Sequence, residues 1–351
     1  DGVVIVGVYE SDEYSELTTI LDYHMSVFPA VCAEIRNAKQ AEARGSYSLM
    51  KTVMHKMFCR SYVEPASASE ITNKYLADLS ARSDYDKRTV PHWVTHMCGA
   101  VDVQGDRHYW IVIGLGPDDR WCIVDWGYEL LVPFKDGKPE RPPTPADRRR
   151  VLNDVAVKFT AGWQQEGTLV RMAPLPGLCG IDVGYLTNEI VNWLRGVKGW
   201  RAVKGLGEDT IKHAGKHLEL PPEAKAFVEL RQPDGWSIPL VHVIGDNVLD
   251  YVHGCLLRDP YTAASGMLPR GQKANDAICM HLAGEVWKEA TLSREGKTIP
   301  GYLAHPHPRW DLLDCARYAL ALSRLRIGLQ SIATKRPKVK YGVVGSVGGR
   351  R

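Results

Sequence analysis

Three short stretches each set an aspartate on or beside an apolar segment: Gly99-Ala100-Val101-Asp102-Val103-Gln104, Gly180-Ile181-Asp182-Val183-Gly184-Tyr185 and Trp310-Asp311-Leu312-Leu313-Asp314-Cys315. An ionised carboxylate inside an apolar element costs several kcal/mol unless a cation or a cluster of donors offsets it. Three such costs in one chain point to one shared cation site. Phosphodiester cleavage is the chemistry such a cluster serves. It needs an activated water and a second cation for the leaving oxygen, with the two ions about 3.5–4 Å apart. Hard divalent ions such as Mg²⁺ take oxygen ligands and keep several waters, so three or four carboxylates suffice without His or Cys. Each acid also has a purely structural reading. Asp102 could bond a turn at a strand edge, Asp182 could cap a helix at Thr187, and Asp314 could pair with Arg317 at i,i+3.

The elements that must position these acids are legible from periodicity and turn residues. His96 to Val103, Arg107 to Leu115 and Trp121 to Trp126 are apolar, β-rich runs. They are separated by Gln104-Gly105-Asp106 and Gly116-Pro117-Asp118-Asp119, which predict an antiparallel meander. Within the first run Asp102 points away from Val101 and Val103. Lys135 to Arg150 reads as an exposed loop leading to a helix through Phe159. Leu178 to Val183 is a fourth strand with Asp182 at its end, Thr187 to Leu194 a helix, and Arg201 to Val203 a fifth strand. A further β-rich stretch, Ala226 to Val243, carries Pro233-Asp234-Gly235 as its turn. A helix from about Arg309 to Leu325 is apolar nearly all round and so predicted to be buried, with Asp314 inside it and Asp311 on nearly the same face. Three strands, a helix, a strand, a helix and a strand is the order of a ribonuclease H-like α/β fold, a mixed sheet flanked by helices. In that sheet the first and fourth strands are neighbours, so a helix packed across their ends would complete the cluster.

The front of the chain offers an apolar strand at Val3–Val8, helical stretches ending near Arg44 and running from Ser46 to Cys59 with Gly45 between them, and a capping box, Ser67-Ala68-Ser69-Glu70, for a helix through Leu79. The expected organisation is a mostly helical N-terminal linker region over 1–92, the sheet domain over 93–325 and a basic flexible tail over 326–351. Eight of the 44 basic residues, including Lys335 and Arg336, and none of the 41 acidic ones fall between Arg324 and Arg351. Such an arm suits phosphates through counterion release. Lys204, at the end of the fifth strand, and the Arg148-Arg149-Arg150 run are further candidate DNA contacts. Trp110, Trp121 and Trp126 alternate with apolar residues and read as core.

At 351 residues, with 44% apolar content, the chain has ample material for a core. No apolar stretch is long enough for a transmembrane helix. Its start at Asp1, with no methionine and no signal peptide, reads as a fragment or processed product. The 8 cysteines form no C-x-x-C pair and sit in apolar surroundings, which suggests a reducing, cytoplasmic compartment. His305-Pro306-His307 offers two imidazoles but no third zinc ligand.

Taken in succession, Val101-Asp102-Val103-Gln104 with Asp106-Arg107, Ile181-Asp182-Val183-Gly184-Tyr185, Val203-Lys204-Gly205, His281-Leu282-Ala283-Gly284-Glu285 and Leu313-Asp314-Cys315 through Tyr318-Ala319-Leu320 resemble the nuclease half of a tailed-phage terminase large subunit, lambda-type branch, over about residues 60 to 325. The resemblance implies a Mg²⁺- or Mn²⁺-dependent endonuclease that cuts concatemeric double-stranded viral DNA in the host cytoplasm during packaging. Its full-length relatives work with a portal protein and a small terminase subunit. Carried over, the family's acids fall on Asp102, Asp182 and Asp314, with Asp311 as an auxiliary ligand. Asp102 would bridge two ions, and Asp182 and Asp314 would hold one each. Glu285 matches a family position on a predicted helix. No G-x-x-x-x-G-K-[ST] loop occurs, so the packaging ATPase motor is not expected here, apart from a possible trailing end in residues 1–60.

Three other readings stay open. Ile181-Asp182-Val183-Gly184-Tyr185 also resembles the phosphate turn of the sugar kinase and actin-like ATPase class, although a second such turn is lacking. A resolvase or transposase of the same fold would use the same three aspartates. A non-catalytic DNA or portal docking module would bind DNA in a salt-sensitive way without cutting it.

Overall fold

β-Branched and aromatic residues in alternation build three long central strands, β1 (His96–Val103), β2 (Arg107–Leu115) and β3 (Trp121–Leu130). The computed structural model of the protein describes residues 34–39, 49–50, 52–53, 71–206, 215–218, 220, 222–225, 227–292, 298–304 and 310–333. The remaining strands of the main sheet are β4 (Pro174–Asp182), β5 (Trp200–Leu206), β6 (Gly215–Leu218), β7 (Val228–Pro233), β8 (Leu240–Ile244) and β9 (Gly266–Met267). Their spatial order is β6-β7-β8-β5-β4-β1-β2-β3-β9, nine strands in all. β1, β2 and β3 pair antiparallel, while β4 runs parallel to β1 and β5 parallel to β4. The five central strands therefore have the ribonuclease H-like arrangement expected from the order of elements, with the first strand beside the fourth. The turn Pro233-Asp234-Gly235 does join two antiparallel strands, β7 and β8, and Gly235 takes a φ of +76° that favours glycine.

The helices that flank the sheet include α1 (Asn73–Ala81), α2 (Pro145–Ala161), α3 (Thr187–Gly196), α4 (Gly245–Leu256), α5 (Ala277–Leu282) and α6 (Asp311–Ala333). They cover both faces of the sheet. One apolar layer gathers Ala100, Tyr109, Ile111 and Val203 with α1, α4, α5 and α6. The other gathers Val101, Val103, Trp110 and Ile181 with α2 and α3. Alternation along β1 thus sends Asp102 to the α6 side and its valine neighbours to the other. α6 is buried as its composition predicts, with Leu312, Leu313, Cys315, Ala316, Ala319 and Leu320 each at most 1% exposed. Trp110, Trp121 and Trp126 are core residues, also as expected.

Several local expectations are corrected. β3 runs four residues past Trp126, to Leu130. Arg148, Arg149 and Arg150 lie on α2 rather than in a loop, because Thr144 and Asp147 form a capping box with Pro145 in the first turn. Glu285 opens a strand of a separate hairpin, Glu285–Leu292 with Thr298–Ala304, instead of lying on a helix; the short α5 has already ended at Ala283. α1 starts later than the capping box at Ser67–Glu70 suggests, with the Thr72 hydroxyl accepting from the Tyr75 amide at 3.1 Å. Residues 71–92 pack into the sheet's two cores through Leu76, Leu79, Tyr85 and Val90. The Val3–Val8 strand, Gly45, the Ser67–Glu70 box, His305, His307, Lys335 and Arg336 lie outside the described residues. Among the described residues no helix is long and apolar enough to cross a membrane.

Candidate active site

Register alone brings two of the acids together. Val101 on β1 is the partner of Ile181 on the parallel β4, so the next residue of each strand, Asp102 and Asp182, is an acid on the same side of the sheet. Neighbouring strands lie about 4.8 Å apart. Both carboxylates are nearly sealed, Asp102 at 4% and Asp182 at 8% exposure.

α6 delivers the third acid. Its Cys315 Sγ is 3.5 Å from the carbonyl oxygen of Tyr109, the β2 partner of Asp102, so the first turns of the helix lie over that pair. Further along, Leu322 sits against Gly180, where an added Cβ would come within 2.7 Å of Leu322 Cδ1. This close approach is why a glycine precedes Ile181-Asp182. Asp311 and Asp314 fall in the first turn of α6, where the helix dipole favours negative charge.

Few groups compensate this concentration of charge. The Gln104 amide donates to Asp102 Oδ2 at 2.6 Å, and the Gly184 amide to Asp182 Oδ2 at 3.1 Å. Burial, then repulsion from Asp314 and Asp182, pushes the Asp102 carboxyl well above the usual carboxylate range. Burial likewise raises Asp182, to about 6, with Asp314 adding to the rise and the Gly184 amide and the Lys204 ammonium opposing it. Asp314 is held by the Arg317 guanidinium, which also donates to Glu285 Oε2 at 2.8 Å. The structural pairing of Asp314 with Arg317 is therefore present. Asp182 instead accepts from its own turn, and the residue capping α3 is Leu186. Asp311 lies 3.9 Å from His281 Nδ1, which accepts from the Leu312 amide.

The raised Asp182 carboxyl has a measurable consequence. A folded-state value near 6 against about 3.8 unfolded gives stability that is full below pH 4 and lost as pH rises to about 6, by up to ~3 kcal/mol. Without divalent ions, the stability of Asp182→Asn relative to wild type should rise across pH 4–6 and then level off. Denaturant melts at four pH values check this; a difference independent of pH refutes it.

The site's chemistry is that of hard oxygen donors. Among the described residues no three His, Cys, Asp or Glu side chains are close enough to hold a metal ion as they stand. The three aspartates nonetheless repel one another, and their oxygens suit Mg²⁺ or Mn²⁺ better than a soft metal. The other candidates lie further out. Arg148 makes a bidentate pair with Glu189 at 2.8 and 2.9 Å. Arg149 is exposed. Arg150 donates to the Leu131 carbonyl at 3.0 Å. Lys204, half-buried on β5, lines a cleft with Val183, Thr187 and Trp236. The reading from sequence missed Arg317 as the link between Asp314 and Glu285, although the i,i+3 spacing signalled half of it.

Neither the curated proteins nor the solved structures yield a match to this chain. A protein-family model described as the terminase large subunit gpA, endonuclease domain, does match, over residues 16–333. That span contains the five central strands and all four acids. Nuclease domains of this kind work on DNA with divalent metals and act with packaging partners. The chain belongs to the terminase large subunit gpA endonuclease-domain family, and its role is that of a nuclease in DNA packaging.

Proposed function

We propose that the protein is an endodeoxyribonuclease that cuts concatemeric double-stranded viral DNA by two-metal-ion hydrolysis, with Asp102, Asp182 and Asp314 as the ligands. The observation that carries this reading is the lateral pairing of two buried acids under a third on α6. Two Mg²⁺ or Mn²⁺ ions held there would neutralise the carboxylates and supply Lewis-acid activation of water and stabilisation of the leaving oxygen. Asp102, which feels the charges of both Asp314 and Asp182, would serve both ions, and Asp182 and Asp314 would hold one each. Asp311 supports the cluster from the same helix turn. Arg317, itself bonded to Glu285, holds Asp314 in place, and Gln104 fixes the Asp102 carboxylate through its 2.6 Å bond.

DNA would reach the carboxylates past Lys204, with Arg149 and the basic tail at Lys335 and Arg336 adding screened, sequence-independent attraction. The portal protein and small terminase subunit are the proposed partners, and the host cytoplasm the proposed setting. All six described cysteines are buried free thiols, in keeping with a reducing compartment. The test is conversion of supercoiled plasmid with Mn²⁺, Mg²⁺ or excess EDTA, run beside Asp102→Ala. Metal-dependent nicking and linearisation, lost in a folded Asp102→Ala, is the expected result. Equal cutting by the variant removes Asp102 from the mechanism, and DNA binding with no cutting under either metal favours the docking-module reading.

A further inference from the structure

The sheet register extends the row of acids to a solvent-facing aromatic ring. Asp102 pairs with Tyr109 on β2, and Tyr109 pairs with Tyr128 on β3, so the three side chains stand on the α6 side of the sheet at one level. Two strand spacings put Tyr128 about 10 Å from Asp102, roughly three base steps of a B-form strand. Tyr128 is 50% exposed, although its strand is otherwise buried from Trp121 through Trp126.

Two groups pack against its ring. Tyr109 packs on it at 5.7 Å between centroids, in a tilted contact. The Arg107 guanidinium lies 5.1 Å from the Tyr128 centroid and 5.1 Å from that of Phe134. Arg107 is in turn fixed by Asp106 through bonds of 3.1 and 2.7 Å. A rigid, half-exposed ring beside a cation and near a carboxylate cluster is a stacking post for nucleic acid bases.

We propose that Tyr128, braced by Arg107 and Tyr109, stacks on an unpaired base of the DNA strand that enters the carboxylate site. This deepens, and rests on, the nuclease reading above. A duplex hides its base faces, so the post engages DNA that is frayed, melted or single-stranded beside the scissile phosphate. Discrimination for opened DNA would then reside in this domain itself, without a sequence code, because every base has a π face.

The test uses the full chain with Ca²⁺ in place of Mg²⁺ and fluorescein-labelled probes: a single-stranded oligothymidylate, a blunt duplex, and the same duplex with a frayed end. Anisotropy gives the affinities at several salt concentrations. Tyr128→Ala should weaken the single-stranded and frayed probes by about ten-fold, leave the blunt duplex within two-fold, and leave the salt slope unchanged, since no phosphate contact is lost. Tyr128→Leu keeps apolar cover over Tyr109 and should lose binding like Ala, while Tyr128→Phe should retain it; melting curves show whether each variant is folded. Equal loss on all three probes, or no loss in folded Ala and Leu variants, overturns the proposal. If wild type cuts plasmid but Tyr128 is neutral, only the stacking post fails. If wild type neither binds nor cuts any DNA, the nuclease reading fails with it.

Discussion

Asp102→Asn should yield a protein that is more stable than wild type in cation-free buffer at neutral pH and has lost nearly all cleavage. The side chain of Asn keeps the shape and can still accept the Gln104 amide, so packing is unchanged. What disappears is a buried carboxyl whose ionisation desolvation and the charges of Asp314 and Asp182 make costly. A rise of several degrees in melting temperature is expected for a domain of this size. Loss of the central ligand should lower the cleavage rate by roughly a thousand-fold or more, as for removal of a group that stabilises charge in the transition state. The two measurements together discriminate. A structural aspartate would lose stability on this change, so a destabilised Asp102→Asn that still cuts plasmid contradicts the assignment. Adding Mn²⁺ should stabilise wild type and leave the variant nearly unaffected, because ligand binding to the folded state raises stability by mass action.

Gly180→Ala carries the second large effect, through geometry rather than charge. The new methyl group would stand 2.7 Å from Leu322 Cδ1 and 2.8 Å from Val203 Cγ2. Neither neighbour has room to give, since both are fully buried. Overpacking of this kind costs about 1–3 kcal/mol. The relief open to the structure is a shift of α6 away from β4, which carries Asp314 away from Asp182. A displacement of about 1 Å can cost on the order of a hundred-fold in rate. Cleavage should therefore fall far more than the melting temperature explains, and it should recover in the variant that combines Gly180→Ala with Leu322→Ala and Val203→Ala, where both clashes are removed. Failure of the combined changes to restore activity in a folded protein would show that α6 does not set the spacing.

How much of this was legible beforehand follows from the range of the interactions involved. β1 and β2 could be read to the residue because Gln104-Gly105-Asp106 and Gly116-Pro117-Asp118-Asp119 are local turn signals bounding uninterrupted apolar runs. From sequence β3 reads as ending at Trp126 because Gly127 and the polar Glu129 break the apolar run, while cross-strand bonds to β2 carry the strand onward. α2 hid behind a proline-rich approach, although Thr144 and Asp147 already spelled its start. The placement of Glu285 depended on a helix ending two residues earlier, with no proline to mark it. At the site, the acids announced themselves by their apolar context. Their side-by-side register, the row out to Tyr128 and the Arg317 bridge to Glu285 join residues far apart in the chain, and no local pattern encodes them.

The parallel pairing of β1 with β4 also bears on how the site opens. Asp102 and Asp182 stand at the end of a central hydrogen-bonded ladder of the sheet. Asp314 rides on the first turn of α6, which is pinned by the buried Leu312, Leu313 and Cys315 and by the bond from the Leu312 amide to His281. Segments with many buried apolar contacts open only at high free energy. All three carboxylates therefore share the fate of the core, and losing any one of them from the site takes the unpacking of α6 from the sheet rather than the fraying of a free helix end.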